Sequence, residues 1–311
     1  MRGERPAQLV LGSVQLGLPY GVANRTGQPS RDTALRLVRR AAGAGVFEFD
    51  TARAYGDSED RIGEALEGKR ARAITKLSPL SNLAPDATRM DVRAAVDASI
   101  AESLAALRRG RLDCLLLHRA AHITAYNGAV WQRLIEHIED GLILSLGVSV
   151  QNASEALFAI EQPDVRHIQL PFNLLDWRWR ASGFVDRLAH KPRVTIHARS
   201  VFLQGLLAAN DPAVWPQIPG VNAQALMQIL TKLAAQFSRE STADLCIAYA
   251  RGQDWIDGVV VGMENEEQLD SNLHLFLKPP LSPQACAAID KQMPRVPEQL
   301  LDPAQWPRVP A

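Results

Sequence analysis

Four residues carry the chemistry that stands out in this 311-residue chain: Asp50, Tyr55, Lys76 and His118. Asp50, Lys76 and His118 each close a short run of β-branched and aliphatic residues, and Tyr55 follows shortly after Asp50. A free tyrosine has a pKa of about 10, too high to exchange protons readily near neutrality. A nearby ammonium favours the phenolate, and a carboxylate paired with that ammonium keeps it charged and oriented. A histidine can hydrogen-bond an oxygen beside them and orient it. Such a set can hand a proton to an alkoxide as it develops, which is what carbonyl reduction by hydride transfer demands. Singly, each residue has a plainer reading: His118 as a structural histidine after an apolar strand, Asp50 and Lys76 as an ordinary ion pair. Their joint placement at strand ends is what favours the chemical one.

The elements that must position them show as an alternation. Apolar runs recur at 9–14, 46–51, 72–77, 112–118, 144–150, 165–172, 194–200 and 257–263. Several are apolar on both faces, as parallel strands buried between a barrel interior and surrounding helices should be. Between them, Ser30 is placed to cap a helix with Leu35, Val38 and Ala42 on one face and Gly45 beyond its end. Ser58 is placed to cap another, with Glu59 and Asp60 as acids of its first turn. Residues 91–109 carry Val92, Val96, Ile100, Leu104 and Leu107 on one stripe. Further helices fit 128–140, 153–161, 222–237 and 241–252. Eight strand–helix alternations predict a (β/α)₈ TIM barrel, read as a single domain over 1–311. GSVQLG (12–17) lacks the middle glycine of a Rossmann fingerprint, and Leu18-Pro19 stands where a P-loop has Lys-Ser/Thr. The proline-rich C-terminal tail (279–311), with a short helix at about 282–292, is expected to pack on the barrel.

Composition narrows the classes. Lys+Arg and Asp+Glu both number 34, so no basic excess points to nucleic acid. Cys114, Cys246 and Cys286 are too few and too scattered for a disulfide framework or a zinc site, and no metal is expected. The start, MRGERPAQLV, lacks the apolar core of a signal peptide, and no apolar run is long enough for a membrane span. A cytoplasmic protein without membrane or nucleic-acid partners is expected.

With these residues in view, the chain resembles the aldo-keto reductase superfamily. FDTARAYGDSEDRIGEAL (49–66) resembles its signature around the catalytic Asp and Tyr, ITK (74–76) its lysine strand, and SLAALRRGRLDCLLLH (103–118) the segment ending in its catalytic histidine. GVSV (147–150), IQLPFN (168–173), RSVFLQGLL (199–207) and VVGMENEEQLDSN (260–272) continue the likeness in order. The resemblance implies an NAD(P)H-dependent oxidoreductase that interconverts an alcohol with an aldehyde, ketone or sugar. In it Asp50, Tyr55, Lys76 and His118 form the catalytic tetrad, with Tyr55 as general acid/base. It also implies a cofactor extended across the barrel mouth. Gly12, Ser13, Asp50 and Gly262 would flank it, and Ser149 and Gln169 would bond the nicotinamide carboxamide. Ser200, Leu203 and Gly205 would follow the pyrophosphate, and Gln268 and Asn272 the adenosine. Ser149 and Gln169 equally suit satisfying backbone groups at the rim.

The chain departs from the family pattern at three places. Val150 stands where many relatives have Asn, and Arg199 where many stack an aromatic ring on the nicotinamide. A guanidinium plane can stack too, but it brings positive charge beside the ring. Residues 263–268, where relatives grip the 2′-phosphate with basic side chains, hold Glu264, Glu266 and Glu267 instead. Those acids suit a helix N-terminus, but if Glu264 faces the ribose it repels a phosphate and accepts from a 2′-hydroxyl. NADH is therefore expected to serve at least comparably to NADPH, unless Arg251 or Lys278 reaches in. Tyr20, Trp177, Trp179 and Trp306 are candidates for a substrate pocket or for lids packed on the barrel. A nucleotide-binding regulator with little turnover is the alternative function, since some superfamily members serve that way.

Overall fold

The computed structural model describes residues 6–22, 24 and 26–307. Residues 1–5, the first half of the segment read for a targeting signal, lie outside the described residues, as do 23, 25 and 308–311. Eight parallel strands close into a barrel in sequence order: β1 (Gln8–Gly12), β2 (Glu48–Asp50), β3 (Arg72–Lys76), β4 (Cys114–Leu117), β5 (Leu146–Ser149), β6 (Val165–Pro171), β7 (Thr195–Arg199) and β8 (Gly258–Gly262). Closure is made by β8 on β1, in register from Gln8↔Gly258 to Gly12↔Gly262. The (β/α)₈ expectation holds, and each strand is shorter than its apolar run because the outer residues of the run lie beyond the ladder.

Alternation along the strands divides the protein into two environments. Leu9, Leu11, Phe49, Ala73, Leu115, Leu117 and Val148 point outward into one large apolar core shared with the helices. Inside the barrel the apolar layer is only Val10, Ile74, Cys114, Leu116 and Val260. Polar side chains fill the barrel on both sides of that layer. Their two groups are compared in the Discussion.

The expected helices form with small shifts. Ser30 accepts from the Thr33 amide at the start of Arg31–Gly43, and Gly45 follows its end with φ 93°. The helix expected at 91–109 runs Arg89–Leu107, because Thr88 and Asp91 build a reciprocal cap there and Arg108 ends it in the left-handed region. Ser58 is a correction. Asp57 precedes the helix Ser58–Ala65 without a side-chain cap bond, and Ser58 is its first residue. Its hydroxyl is buried and used elsewhere, 2.5 Å from Ser13 Oγ and 2.9 Å from Thr51 Oγ1.

The tail helix Pro283–Gln292 forms near its expected place, followed by a short turn of helix at Glu298–Leu301. Leu281, Ile289, Val296 and Leu300 from this tail are buried in the common core. Among the described residues no helix is long and apolar enough to cross a membrane, and no three acidic, His or Cys side chains are placed to hold a metal ion. All three cysteines are buried and free.

Candidate active site

At the C-terminal end of the barrel, β2 and β3 finish side by side on Asp50 and Lys76. The Lys76 ammonium lies 2.7 Å and 2.9 Å from the two Asp50 oxygens and donates also to the Thr51 carbonyl at 2.9 Å. Their side chains are 1% and 5% exposed, so the pair is sealed from solvent. Burial works against the ammonium, but the Asp50 carboxylate and then the Tyr55 hydroxyl outweigh it and hold Lys76 above its ordinary pKa. Gln169, at the matching level of β6, donates its amide to Asp50 Oδ1 at 2.7 Å, while its own Oε1 is buried and unpaired.

Tyr55 comes from the loop after β2. Lys76 Nζ stands 4.9 Å from its ring centroid, and the His118 ring meets it edge-on at 5.8 Å. Four residues expected from sequence to act together are therefore together. His118, one residue past β4, has a buried and unpaired Nδ1. Its pKa falls to about 3, first through burial and then through the charges of Lys76, Arg199 and Arg119. The ring is neutral at physiological pH.

Two supports for Tyr55 escaped the sequence reading. Gly17 is one: a Cβ there would sit 1.7 Å from the Tyr55 carbonyl oxygen, so only glycine lets the two loops touch. Glu59 is the other. Read as a first-turn acid, it is 1% exposed and accepts from Thr75 Oγ1 at 2.5 Å and Ser103 Oγ at 2.8 Å. It also pairs with Arg53 at 2.5 Å. Arg53 belongs to the Tyr55 loop and Thr75 precedes Lys76, so one buried carboxylate ties loop to strand. Arg53, three residues after Asp50 and six before Glu59, was the available signal, but nothing in the sequence says which face of that helix is buried.

Asp50, Tyr55 and His118 open onto a cavity of about 1230 Å³. Gly12, Ser13, Ser149, Arg199, Ser200, Gly205, Gly262, Glu264, Gln268 and Asn272 also line it. Ser13 is committed within the wall, donating to the Asp50 carbonyl at 2.7 Å. Leu203 turns its side chain into the core, and its backbone belongs to the turn that lines the cavity. That turn is built for anions. Ser200, Leu203, Gln204 and Gly205 all have positive φ, and the N–H groups of Val201, Phe202 and Gln204 have no protein acceptor.

The far end of the cavity is acidic. The helix Glu266–Leu277 is capped by Asn265, and Glu266 turns outward to Arg36 and Arg40, as a helix-terminal acid would. Glu264 lies before that helix and lines the cavity, accepting from Thr26 Oγ1 at 3.2 Å. The described lining residues at that end include no lysine or arginine. Arg251 is spent on the Ala7 and Lys278 carbonyls and Lys278 on Glu240 and Asp244, so neither reaches in.

Among the aromatic candidates only Tyr20 lines this cavity. Trp179 is fully buried and donates to the Pro171 carbonyl, Trp177 donates to Val296 of the tail, and Trp306 to the Leu300 carbonyl. They are packing residues.

A closed parallel barrel with this constellation at its C-terminal mouth defines an enzyme-type α/β barrel. The chain belongs to the aldo/keto reductase family, whose model matches residues 8–293. The fold is shared with solved structures. The holo form of aldo-keto reductase AKR11C1 from Bacillus halodurans matches at TM-score 0.75 and 18% identity, over 97% of this chain and 98% of that one. PA4992 from Pseudomonas aeruginosa, assigned to the same family, matches at TM-score 0.60 and 22% identity, over 88% and 92%. A search of curated protein sequences found no match.

Proposed function

We propose that this chain, acting as one unit over its whole length, interconverts a small carbonyl compound and its alcohol with NAD(P)H, and that Tyr55 is the general acid/base. The observation that carries the reading is the sealed Lys76–Asp50 pair set 4.9 Å from the Tyr55 ring at the cavity wall. Neutral His118 hydrogen-bonds the carbonyl oxygen and orients it. Tyr55 gives that oxygen its proton, and the Lys76 ammonium stabilises the charge left on the phenol oxygen. Asp50 keeps Lys76 charged, and Gln169 fixes Asp50.

The cavity fits an extended dinucleotide. It is larger than a small carbonyl compound needs. The left-handed turn at 200–205 offers free N–H groups to a pyrophosphate and Ser149 lines the cavity, whereas Gln169 is fully buried against Asp50 and is not part of the lining. When bound, the nicotinamide supplies the hydride. Loss of nicotinamide absorbance on mixing protein and reduced cofactor with a panel of aldehydes, ketones and sugars tests the reading. No turnover with any of them, despite cofactor binding, sinks it.

Cofactor choice follows from the acidic end. A 2′-phosphate draws its selectivity from paired cations, and the described lining there supplies carboxylates. NADH should therefore serve at least comparably, with any preference for NADPH below about tenfold, roughly 1.4 kcal/mol. Fluorescence titration with both reduced forms measures this. A hundredfold tighter NADPH overturns it.

A further inference from the structure

The cavity is electrically polarised, and its cationic end is not explained by the proton-transfer groups. Arg119 and Arg199 line it at the ends of β4 and β7, and the Lys76 charge is already neutralised by Asp50. Arg199 is half-buried and forms no ion pair, although Glu155 lines the same end of the cavity. It is held by neutral acceptors: the Val150 carbonyl at 3.2 Å, Gln151 Oε1 at 2.7 Å and, loosely, Ser200 Oγ at 3.4 Å. Gln151 is fixed in turn by Asp302 of the tail and by Glu155, which accepts from the Gln151 amide and forms no ion pair with Arg199. A guanidinium has five N–H donors, and these bonds leave its Nε–H and part of Nη1 unused. Arg119 is exposed at the same wall, and its side chain has neither a hydrogen bond nor an ion pair. Elsewhere arginines such as Arg31, Arg40, Arg53, Arg72, Arg133 and Arg178 pair with carboxylates.

A charge withdrawn from water costs free energy unless a counter-charge meets it. Arg199 accepts that cost in a fixed orientation beside His118, whose ring feels both arginine charges. Because His118 is neutral, it adds no cation of its own. We propose that Arg199, assisted by Arg119, binds an anionic group of the substrate, so that this enzyme acts on carbonyl compounds carrying a carboxylate or phosphate near the reacting carbon. The proposal rests on the reduction reading above and names its substrate class. The cofactor pyrophosphate is the other source of such oxygens. The free N–H groups of Val201, Phe202 and Gln204 already provide for it, which favours the substrate.

Matched pairs of substrates test this: 4-oxobutanoate against butanal, and glyceraldehyde 3-phosphate against glyceraldehyde. The expected result is kcat/KM at least tenfold higher for the anionic member of one pair, with the ratio falling to near one in Arg199→Met and by a few-fold in the exposed variant Arg119→Gln. Equal rates within both pairs in the wild type overturn it. So does an Arg199→Met variant that keeps the ratio while its dinucleotide Kd, titrated separately, weakens more than tenfold, because the anion is then the cofactor's. If Arg199→Met does not fold, Arg119→Gln and Arg199→Lys carry the comparison. If no compound turns over, the reduction reading fails, and binding still decides the anion site. Succinate and inorganic phosphate should then raise the melting temperature of the dinucleotide-loaded wild type, and less so that of Arg119→Gln. No rise rejects the site.

Discussion

The barrel holds two ion pairs built from the same two strands, two residues apart on β2 and four apart on β3. Toward the N-terminal opening, Glu48 of β2 meets Arg72 of β3 at 2.8 Å. Toward the cavity, Asp50 meets Lys76 at 2.7 Å, with the Ile74 layer between the pairs. The lower pair is 18% and 28% exposed and is joined by His197, 3.2 Å from Glu48 Oε2 without a hydrogen bond's alignment. Burial alone would raise the Glu48 pKa, but His197 and Arg72 outweigh it and hold the carboxyl below its usual range. The upper pair is almost fully buried and has Tyr55 beside its cation. Chemically the pairs are near twins. What separates them is the third group: a histidine beside the anion below, a tyrosine beside the cation at a cavity wall above.

The comparison breaks most sharply under charge removal. Lys76→Met should abolish turnover at any ordinary pH and leave Asp50 buried without a counter-ion, costing about 3–5 kcal/mol. Arg72→Met should cost only about 1–2 kcal/mol, since a partly exposed pair is screened by solvent, and should leave turnover within a factor of a few. Denaturant midpoints and steady-state rates on both variants check this. Equal effects on rate would show that both pairs are merely structural.

Tyr55→Phe sharpens the same contrast without disturbing either pair. The ring and its packing against His118 remain while the proton donor goes, so kcat should fall by about 10²–10⁴. Dinucleotide affinity should stay within a few-fold. A variant that keeps most of its activity removes Tyr55 from its role, and with it the reason for treating the upper pair as special.

How much of this was legible in the residues follows from where each signal lives. The eight strands were readable because parallel strands buried on both faces leave uninterrupted apolar runs, and Asp50, Lys76 and His118 interrupt those runs at their ends. The lower cluster was not readable in the same way. Glu48, Arg72, His167 and His197 alternate with apolar neighbours, and a period of two cannot tell a polar barrel interior from a solvent face. Ser58 and Glu59 show the same limit on a helix: a serine and a glutamate at a helix start read as cap and dipole partner, yet both are inside. Glu264 went the other way. Its neighbours Glu266 and Glu267 begin a helix, yet Glu267 also lines the cavity and only Glu266 turns away to Arg36 and Arg40, a division that three glutamates around one cap do not reveal.

The smallest expected effect concerns the histidines that face each environment, His118 above and His167 below. Both are held below the ordinary value, His118 to about 3 and His167 well below 6.5, in each case chiefly by burial. His167 packs on His197 with ring centroids 4.2 Å apart and lies within reach of the charges of Arg72 and Lys76. The folded protein thus refuses a proton that the unfolded chain takes up below about pH 6.5. Stability from each is fully present above that pH and is lost as pH falls toward the depressed folded value. The slope per fully buried histidine approaches about 1.4 kcal/mol per pH unit, and His118, which is partly exposed, should contribute less. His167→Leu should flatten the acid side of a stability profile between about pH 4.5 and 6.5 and leave turnover near wild type. His118→Asn should flatten it less and remove turnover. Urea midpoints at half-unit pH steps, with rates measured alongside, distinguish them. A His167→Leu profile as steep as the wild type's would mean that the lower histidine is not the acid-sensitive element, and a rate loss matching that of His118→Asn would mean that the two ends of the barrel are not functionally separate.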